Sequence, residues 1–257
     1  MNILIVIPTY NERDSIGTLL KQLVTIDQSL PINVNILIVD DDSPDKTAAY
    51  IESLDFKNVN ILSRTGKFGL GSAYKFAIKT ALQEYDFDYL VTMDGDGSHQ
   101  VKDLIMMLKS IPTDASLILG SRWISGGGIR NWSKFRIWLS KAGTRYARFA
   151  LRLKIHDLTG GFRIYPRRTL ERINFNEITS NGYCYQIEMA FAIEHLNRIQ
   201  IGAGDFKTIE LPITFIERVN GSSKMSLKIV LEAIWQVTKM GLRLRLRPNA
   251  DKLHYVK

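Results

Sequence analysis

The first 120 residues alternate two patterns of hydrophobic and polar positions. Short runs of apolar and β-branched residues predict buried strands, and longer stretches with an apolar residue every three or four positions predict amphipathic helices. The predicted strands are residues 3–7, 34–39, 59–62, 89–93 and 117–120, and the predicted helices are residues 15–25, 45–54, 71–84 and 101–109. This alternation indicates an α/β fold with a mostly parallel sheet flanked by helices.

The pattern changes beyond Gly120. The sequence there predicts a glycine loop at 126–128, a basic helix at 133–153, an extended segment at 161–165, a helix at 185–197 and one strand at 208–216. Residues 226–246 have helical periodicity, and Lys228, Glu232 and Lys239 interrupt their apolar positions, so this helix is too polar to span a bilayer. It would either lie on a membrane or pack as an ordinary core helix with a basic end. We predict one domain over residues 1–225, followed by a basic amphipathic helix and tail over 226–257.

Composition excludes several classes of protein. A chain of 257 residues that is 45% hydrophobic can bury a substantial core. The single cysteine, Cys184, excludes a disulfide framework and a cysteine-rich zinc site, and the four histidines lack metal-binding spacing. The apolar N-terminus has no basic region and reaches Pro8 quickly, so we predict a strand there and not a signal peptide.

Positive charge is concentrated in one part of the chain. The net charge is +8, yet residues 122–172 alone contain 13 Lys and Arg against two acidic residues. Such a concentration favours an anionic partner, which would be nucleic acid, an acidic membrane surface or a phosphorylated substrate. A solvated helix face is the usual explanation of a charge run. Aromatic residues interleave this one, which suits a membrane interface: Trp132, Phe135, Trp138, Tyr146 and Phe149.

Polar clusters follow the first, second and fourth predicted strands, at residues 9–12, 40–45 and 94–96. Because the carboxyl ends of parallel strands meet at one edge of a sheet, this edge is the candidate active site. Asp94 and Asp96 flank Gly95, which would leave room for a close ligand, and their oxygens suit Mg²⁺ or Mn²⁺ shared with substrate phosphates. An EF-hand would need Glu where Ile105 stands.

Seven motifs occur in order at residues 8–12, 40–45, 69–71, 94–96, 120–123, 157–163 and 212–218, with Ser223 and Lys224 after the last. Together they resemble the inverting GT-A glycosyltransferases and, more narrowly, the polyprenol-phosphate (dolichol-phosphate) mannose synthases. The resemblance covers residues 3–225. It implies a GT-A (Rossmann-like) fold and metal-dependent transfer of mannose from GDP-mannose to a polyprenyl phosphate, with inversion at the sugar.

The resemblance also implies residue roles. Catalysis is assigned to Asp94, Asp96 and Arg122. The nucleotide sugar is assigned to Pro8, Tyr10, Glu12, Ile38, Asp40, Asp94, Gly95, Asp96, Arg122, Arg218 and Lys224. The acceptor phosphate is assigned to Arg136 and Ser140, one helical turn apart. The metal is assigned to Asp94, Asp96 and Ser98, although this family often has Gln at the third position. Asp157 and Glu188 are supporting groups.

Local alternatives accompany several of these roles. Asp40 could cap the following helix, although Ser43 or Asp45 suits that task better. Residues 8–11 could be only a turn that ends a strand. Gly69 and Gly71 match neither a P-loop nor a dinucleotide-binding motif and indicate a tight loop that opens a helix. Glu188 would contact the sugar or only anchor a helix.

The expected location is the cytoplasmic side of a membrane, as a peripheral protein on an anionic surface. Some members of this family require a small membrane subunit, which is a further candidate partner. Within the class, the alternative is transfer of glucose or another sugar to polyprenyl phosphate or to a non-lipid acceptor. From a different class, the alternative is a non-catalytic nucleotide- or nucleic-acid-binding module. The enzyme interpretation expects no nucleic-acid partner.

Overall fold

The computed structural model describes residues 1–182, 184–199, 207–217, 227–246 and 255–256. The strands are β1 (Asn2–Thr9), β2 (Asn33–Asp40), β3 (Val59–Ser63), β4 (Tyr89–Thr92), β5 (Ala115–Ser121), β6 (Gly128–Arg130), β7 (Arg163–Pro166), β8 (Lys207–Pro212) and β9 (Thr214–Ile216). The helices are α1 (Arg13–Leu23), α2 (Thr47–Glu52), α3 (Leu70–Glu84), α4 (Val101–Lys109), α5 (Lys134–Leu151), α6 (Arg167–Arg172), α7 (Cys184–Ile199) and α8 (Leu227–Leu246).

The main sheet has seven strands in the order β3-β2-β1-β4-β7-β5-β8. The pairs β1–β2, β1–β4, β2–β3 and β5–β8 are parallel, which confirms the predicted α/β architecture. Residues 3–7 of β1 are all buried, because helices cover both faces of the sheet and a parallel strand then needs apolar side chains on both sides. Thr9 pairs with Asp40 across β1 and β2, so the first two polar clusters begin side by side.

β7 is antiparallel to both of its neighbours, β4 and β5. The extended segment predicted at 161–165 is therefore a central strand, and it brings the glycine-rich turn before it to the edge of the sheet where β4 ends. Thr92 Oγ1 donates a hydrogen bond to the Gly161 carbonyl at 2.8 Å across this junction. The 157–161 loop is thereby fixed beside the Asp94–Asp96 segment.

The prediction of one strand over 208–216 was wrong. β8 ends at Pro212 in the main sheet, and β9 begins at Thr214 in a separate parallel pair with β6. The chain changes partners at Ile213, whose N–H donates to the Ser121 carbonyl while its carbonyl accepts from Gly128 N–H. The helix predicted at 45–54 is also shorter, because Lys46 before it has a left-handed backbone (φ 61°).

The C-terminal helix α8 is present as predicted and packs against α5. Val237 and Met240 of α8 are buried, and a Cβ on Gly241 would lie 2.9 Å from the Ala150 carbonyl oxygen of α5. In the described ranges, which leave out 218–226 and 247–254, no helix has the length and apolar character to cross a membrane. The predicted domain boundary between residues 225 and 226 falls outside the described residues, and the division stays a prediction.

Candidate active site

The carboxyl ends of β1, β2 and β4 form the site, and Asp40 stabilises the loop at the end of β2. Its carboxylate accepts hydrogen bonds from Thr9 Oγ1 at 2.8 Å, Ser43 Oγ at 2.6 Å and Ser43 N–H at 2.9 Å, and it is buried. Asp45 accepts from the Thr47 N–H at the start of α2, so it performs the capping considered for Asp40. Asp40 therefore holds the 40–43 loop against β1.

Pro8, Tyr10 and Glu12 lie along the same edge, half-buried. Lys67 Nζ lies 3.9 Å from the centre of the Tyr10 ring, and the Glu12 N–H donates to Thr47 Oγ1 at 3.1 Å. Ile38 is different, because its side chain is completely buried in the core between the sheet and α1. Pro8, Tyr10 and Glu12 are therefore partly exposed at the edge of the sheet, whereas Ile38 lies in the core beneath them.

Asp94 and Asp96 project from the loop after β4, and both are half-buried. Asp96 Oδ1 accepts from the Ser98 N–H at 3.0 Å, which fixes the turn around Gly97. The space that Gly95 leaves is filled by protein, since a Cβ there would lie 3.2 Å from Ile7 and 3.4 Å from Thr9. We therefore correct the expectation that Gly95 makes room for a ligand: it lets the loop pack on β1.

His99 supports this loop from behind. Its Nδ1 accepts the Asp94 N–H at 3.0 Å, and its ring stacks on Phe162 with the centroids 4.7 Å apart. Burial lowers the pKa of His99 to about 4, against an opposing effect of the Asp96 charge. The imidazole is therefore neutral at neutral pH and can serve as the acceptor that the Asp94 backbone needs.

The donor atoms at this edge fit a hard divalent cation. Asp94 and Asp96 would hold it. Ser98, the third predicted ligand, is almost completely buried, in contrast to the two half-buried carboxylates. Over the described ranges, no three His, Cys, Asp or Glu side chains lie close enough together to hold a metal ion. Two carboxylates are what Mg²⁺ commonly takes from a protein when substrate phosphates and water supply its other ligands. The residues present thus fit a metal that binds together with a diphosphate.

Arg122 and Asp157 form a buried ion pair beside the loop. Arg122 Nε and Nη2 each lie 2.7 Å from an oxygen of Asp157, and the Arg122 N–H adds a third bond at 3.0 Å. Burial raises the pKa of Asp157, but the charge and hydrogen bonds of Arg122 outweigh it and hold this pKa below its usual value. Arg122 was predicted to bind the donor diphosphate, but two of its three guanidinium nitrogens, Nε and Nη2, donate to Asp157.

The two residues predicted for the acceptor phosphate adjoin this ion pair. Ser140 Oγ lies 3.1 Å from Thr159 Oγ1, which in turn accepts from Arg122 Nη2 at 2.8 Å. Arg136 lies 3.9 Å over the Trp132 ring and forms an ion pair with Glu217. One face of α5 is thus joined through the 157–161 loop to the carboxylates.

Glu188 anchors a helix. It is buried on α7 and accepts hydrogen bonds from the backbone N–H groups of Thr179 and Ser180 and from the Tyr255 hydroxyl. This is the second of the two roles that the sequence left open. Arg218 and Lys224 lie outside the described residues.

Sequence reasoning missed Arg163, which is completely buried at the start of β7. Its guanidinium donates to the carbonyls of Leu158, Gly160 and Gln186, so it braces the whole 157–161 loop from below. The sequence contained a sign of this role. Arg163 follows three apolar or glycine residues in the 157–163 motif, and a charged side chain in such a segment requires buried partners.

Comparison with known proteins places these features in a family. Residues 4–173 match the family model described as Glycosyl transferase family 2. The polyprenol monophosphomannose synthase of Mycolicibacterium smegmatis is 40% identical over 246 residues, which cover 95% of this chain and 88% of that protein. The undecaprenyl-phosphate mannosyltransferase of Micrococcus luteus is 40% identical over 247 residues, which cover 95% of this chain and 96% of that protein.

Solved structures share the architecture at low sequence identity. Mannosyl-3-phosphoglycerate synthase from Rubrobacter xylanophilus has a TM-score of 0.59 and 18% identity, over 97% of this chain and 75% of that chain. Glucosyl-3-phosphoglycerate synthase from Mycobacterium tuberculosis, in complex with Mn²⁺, UDP and glucosyl-3-phosphoglycerate, has a TM-score of 0.57 and 15% identity, over 95% of this chain and 79% of that chain. These likenesses confirm the predicted fold.

Proposed function

Because this chain belongs to glycosyl transferase family 2 and is a glycosyltransferase, we propose that it transfers mannose from GDP-mannose to a polyprenyl phosphate. The products would be polyprenyl phosphate β-mannose and GDP. The observation that carries this proposal is the short hydrogen-bonded connection from Ser140 on the basic helix, through Thr159, to Arg122 and Asp157. This connection supports the proposal because it holds the helix that would bind the acceptor phosphate next to the loop that carries Asp94 and Asp96.

The choice of acceptor and sugar also rests on the two relatives. Their names describe a polyprenol monophosphomannose synthase and an undecaprenyl-phosphate mannosyltransferase, and each aligns over 95% of this chain. Alignment over that length includes α5, which carries Arg136 and Ser140. The helix assigned to the acceptor is thus within the region that these enzymes share with this protein.

The reaction needs alignment more than base catalysis. A phosphate monoester is largely ionised at neutral pH, so its oxygen can attack the sugar C1 without a side chain that removes a proton. The new C1–O bond forms on the face opposite the diphosphate, and the old C1–O bond breaks with its electron pair on GDP, which inverts the configuration. Arg136 and Ser140 would hold the attacking phosphate, and the 157–161 loop would fix its distance from the sugar.

Asp94 and Asp96 would hold Mg²⁺ or Mn²⁺ at the donor diphosphate, and the ion would neutralise the charge that develops on the leaving group. The protein contributes a fixed loop for these carboxylates. His99 and Ser98 determine its backbone through the hydrogen bonds to Asp94 N–H and Asp96 Oδ1.

A lipid acceptor requires contact with a membrane, and we propose that α5 and α8 supply it through one surface. This α5/α8 surface consists of exposed apolar residues with basic residues among them: Phe135, Trp138, Phe149, Leu231, Ile234, Trp235, Leu242 and Leu246, with Lys134, Arg145, Lys239, Arg243 and Arg245. Arg245 of α8 lies 5.8 Å from the Phe149 ring of α5, so the two helices share this surface. Apolar insertion plus attraction to anionic lipid headgroups suits a peripheral protein, and the sequence predicts the cytoplasmic side.

The test is transfer of labelled mannose from GDP-mannose into an organic-extractable lipid in vesicles that contain polyprenyl phosphate and Mg²⁺ or Mn²⁺. We expect label in the lipid phase, and its loss with a chelator or with Asp96→Ala. Asp27→Ala, which removes an exposed carboxylate on the helical turn Ile26–Gln28, is the control. Transfer from UDP-glucose in place of GDP-mannose would refute the donor, and transfer that survives both the chelator and Asp96→Ala would refute the metal role.

The acceptor assignment has its own measurement. With a short-chain polyprenyl phosphate in detergent, Arg136→Ala should raise the acceptor KM about 10- to 100-fold, because a charged hydrogen bond to phosphate is lost, and leave the GDP-mannose KM unchanged. Lys102→Ala, which removes an exposed lysine on α4 outside the α5/α8 surface, is the control. An increase in the donor KM alone would place Arg136 at the diphosphate instead.

A further inference from the structure

Gln186, near the start of α7, has a buried side chain that the proposed reaction leaves unexplained. Only 2% of the residue is exposed, and neither its Nε2 nor its Oε1 has a hydrogen-bond partner among the residues that the structure describes. Burying an amide without partners costs free energy, so such a group usually has a ligand or an ordered water. The question is which molecule occupies that position.

The surroundings of Gln186 indicate the answer. A Cβ built on Gly161 would lie 3.4 Å from Gln186 Nε2 and 3.6 Å from Asp94 Oδ1, so the amide and the carboxylate border the same small space. The space exists because residue 161 is glycine, and Gly161 itself is only half-buried. The backbone carbonyl of Gln186 accepts a hydrogen bond from the buried Arg163 side chain, and this bond fixes the position of Gln186 on α7.

We propose that the Gln186 amide binds a hydroxyl group of the donor sugar and thereby selects which sugar is transferred. The inference rests on the proposed function, in which Asp94 helps to hold the metal ion at the donor diphosphate. The sugar is bonded directly to that diphosphate, so it must lie within a few ångströms of Asp94. An amide offers one acceptor and two donors to a hydroxyl, and a site built for a hydroxyl strongly rejects an analogue that lacks it.

Gln186→Met tests this, because methionine keeps the length and volume of the side chain and removes both polar atoms. We expect kcat/KM for GDP-mannose to fall about 10- to 100-fold while the affinity for GDP, which has no sugar, stays unchanged. In a panel of GDP-deoxymannoses, each of which lacks one hydroxyl, the wild type should transfer one donor poorly. Gln186→Met should transfer that donor at least as well as the wild type does. Gln186→Glu, which keeps the acceptor, should retain part of the discrimination.

Thr169→Val is the matched control, since Thr169 on α6 is also buried and its hydroxyl has no hydrogen-bond partner within the described part of the chain. It should leave donor discrimination at the wild-type value. Gln186→Met should keep or raise the melting temperature, because it removes an unpaired buried amide.

The alternative outcomes are distinct. If the wild type turns over GDP-mannose and Gln186→Met discriminates among the deoxy donors as the wild type does, Gln186 only holds a buried water and the inference is overturned. A parallel loss of GDP affinity would also overturn it, as a structural effect. Absence of wild-type transfer from any nucleotide sugar would refute the proposed function itself.

Discussion

Buried charge at this site serves geometry more than binding. The sequence assigned Arg122 to the donor and Asp157 to a supporting role, and the structure pairs them with two contacts of 2.7 Å in a setting of aromatic rings. A buried ion pair contributes little net stability compared with an apolar pair, yet the loss of one partner leaves an uncompensated charge. The 157–161 loop depends on this pair remaining complete.

Asp157→Asn should therefore lower the free energy of unfolding by about 3–5 kcal/mol, because the Arg122 guanidinium would lose its counter-charge in the interior. Urea unfolding measures this. Glu171→Gln removes the half-exposed partner of Arg167 and should cost less than about 1 kcal/mol. Equal losses in the two variants would show that the Arg122 site is hydrated.

His99 gives the molecule a dependence on pH that the sign of its pKa shift determines. Its pKa is lowered from 6.5 to about 4 in the folded state, so between these values the unfolded chain binds more protons than the folded one. Stability is thus fully present above pH 6.5 and falls as the pH drops toward 4. Urea unfolding of the metal-free protein across this pH window measures the change. The free energy of unfolding should fall less steeply with decreasing pH in His99→Gln than in the wild type, and an unchanged dependence on pH would assign the effect to other groups.

At the scale of elements, the contact between α5 and α8 holds together the surface proposed for the membrane. Tyr146 and Thr238 share a hydrogen bond of 2.6 Å across it, and Gly241 lets the backbones approach. The two helices are separated by more than 70 residues in the chain, so the α5/α8 surface exists only when the fold is complete.

Two glycines test this contact. Gly241→Ala would place a Cβ 2.9 Å from the Ala150 carbonyl and should destabilise the protein by about 1–3 kcal/mol through overpacking. Gly143→Ala on α5 meets no atom within 4 Å and should stabilise by about 0.5–1 kcal/mol through helix propensity alone. Thermal unfolding with opposite shifts for the two variants is the expected result, and stabilisation by both would mean that the helices separate easily.

The sequence predicted the elements with strong periodicity and the edge where they converge. It could not predict that residues 163–166 enter the sheet antiparallel between β4 and β5, because periodicity contains no information on strand direction. Pro212 was a local sign that the strand 208–216 would break, but the change of partner at Ile213 depends on β6, which is three residues long. The sequence did not indicate Gln186, because the lack of hydrogen-bond partners for its amide among the described residues can be seen only when its neighbours are known.

At the scale of the whole molecule, the helix proposed to bind the acceptor phosphate, α5, also carries exposed apolar and basic residues of the α5/α8 surface. Ser140 contacts Thr159 of the 157–161 loop, and Arg136 contacts Trp132 and Glu217. Phe135, Trp138 and Phe149 of the same helix are exposed to solvent. A phosphate at the membrane surface would therefore reach the donor without leaving the lipid interface.

Vesicle flotation measures this docking. Replacing Arg145 and Lys239 with Gln should weaken binding to anionic vesicles about 30-fold, because each basic residue near the surface contributes about 1 kcal/mol. The control replaces Lys102 and Lys109 on α4, which are also exposed but lie outside the α5/α8 surface. Equal weakening by the two pairs would indicate attraction by overall charge instead of a defined surface.

The position of β7 also has a consequence for how the chain reaches its native state. β1 to β4 lie within the first 92 residues and pair with one another, so they can assemble as a local unit. β5 has no neighbour in that unit and must wait about 40 residues, until β7 has been synthesised, before it can join. During translation the apolar edge of β4 therefore stays open while the whole basic helix emerges, and this interval is when an unfinished chain is most exposed to misassociation.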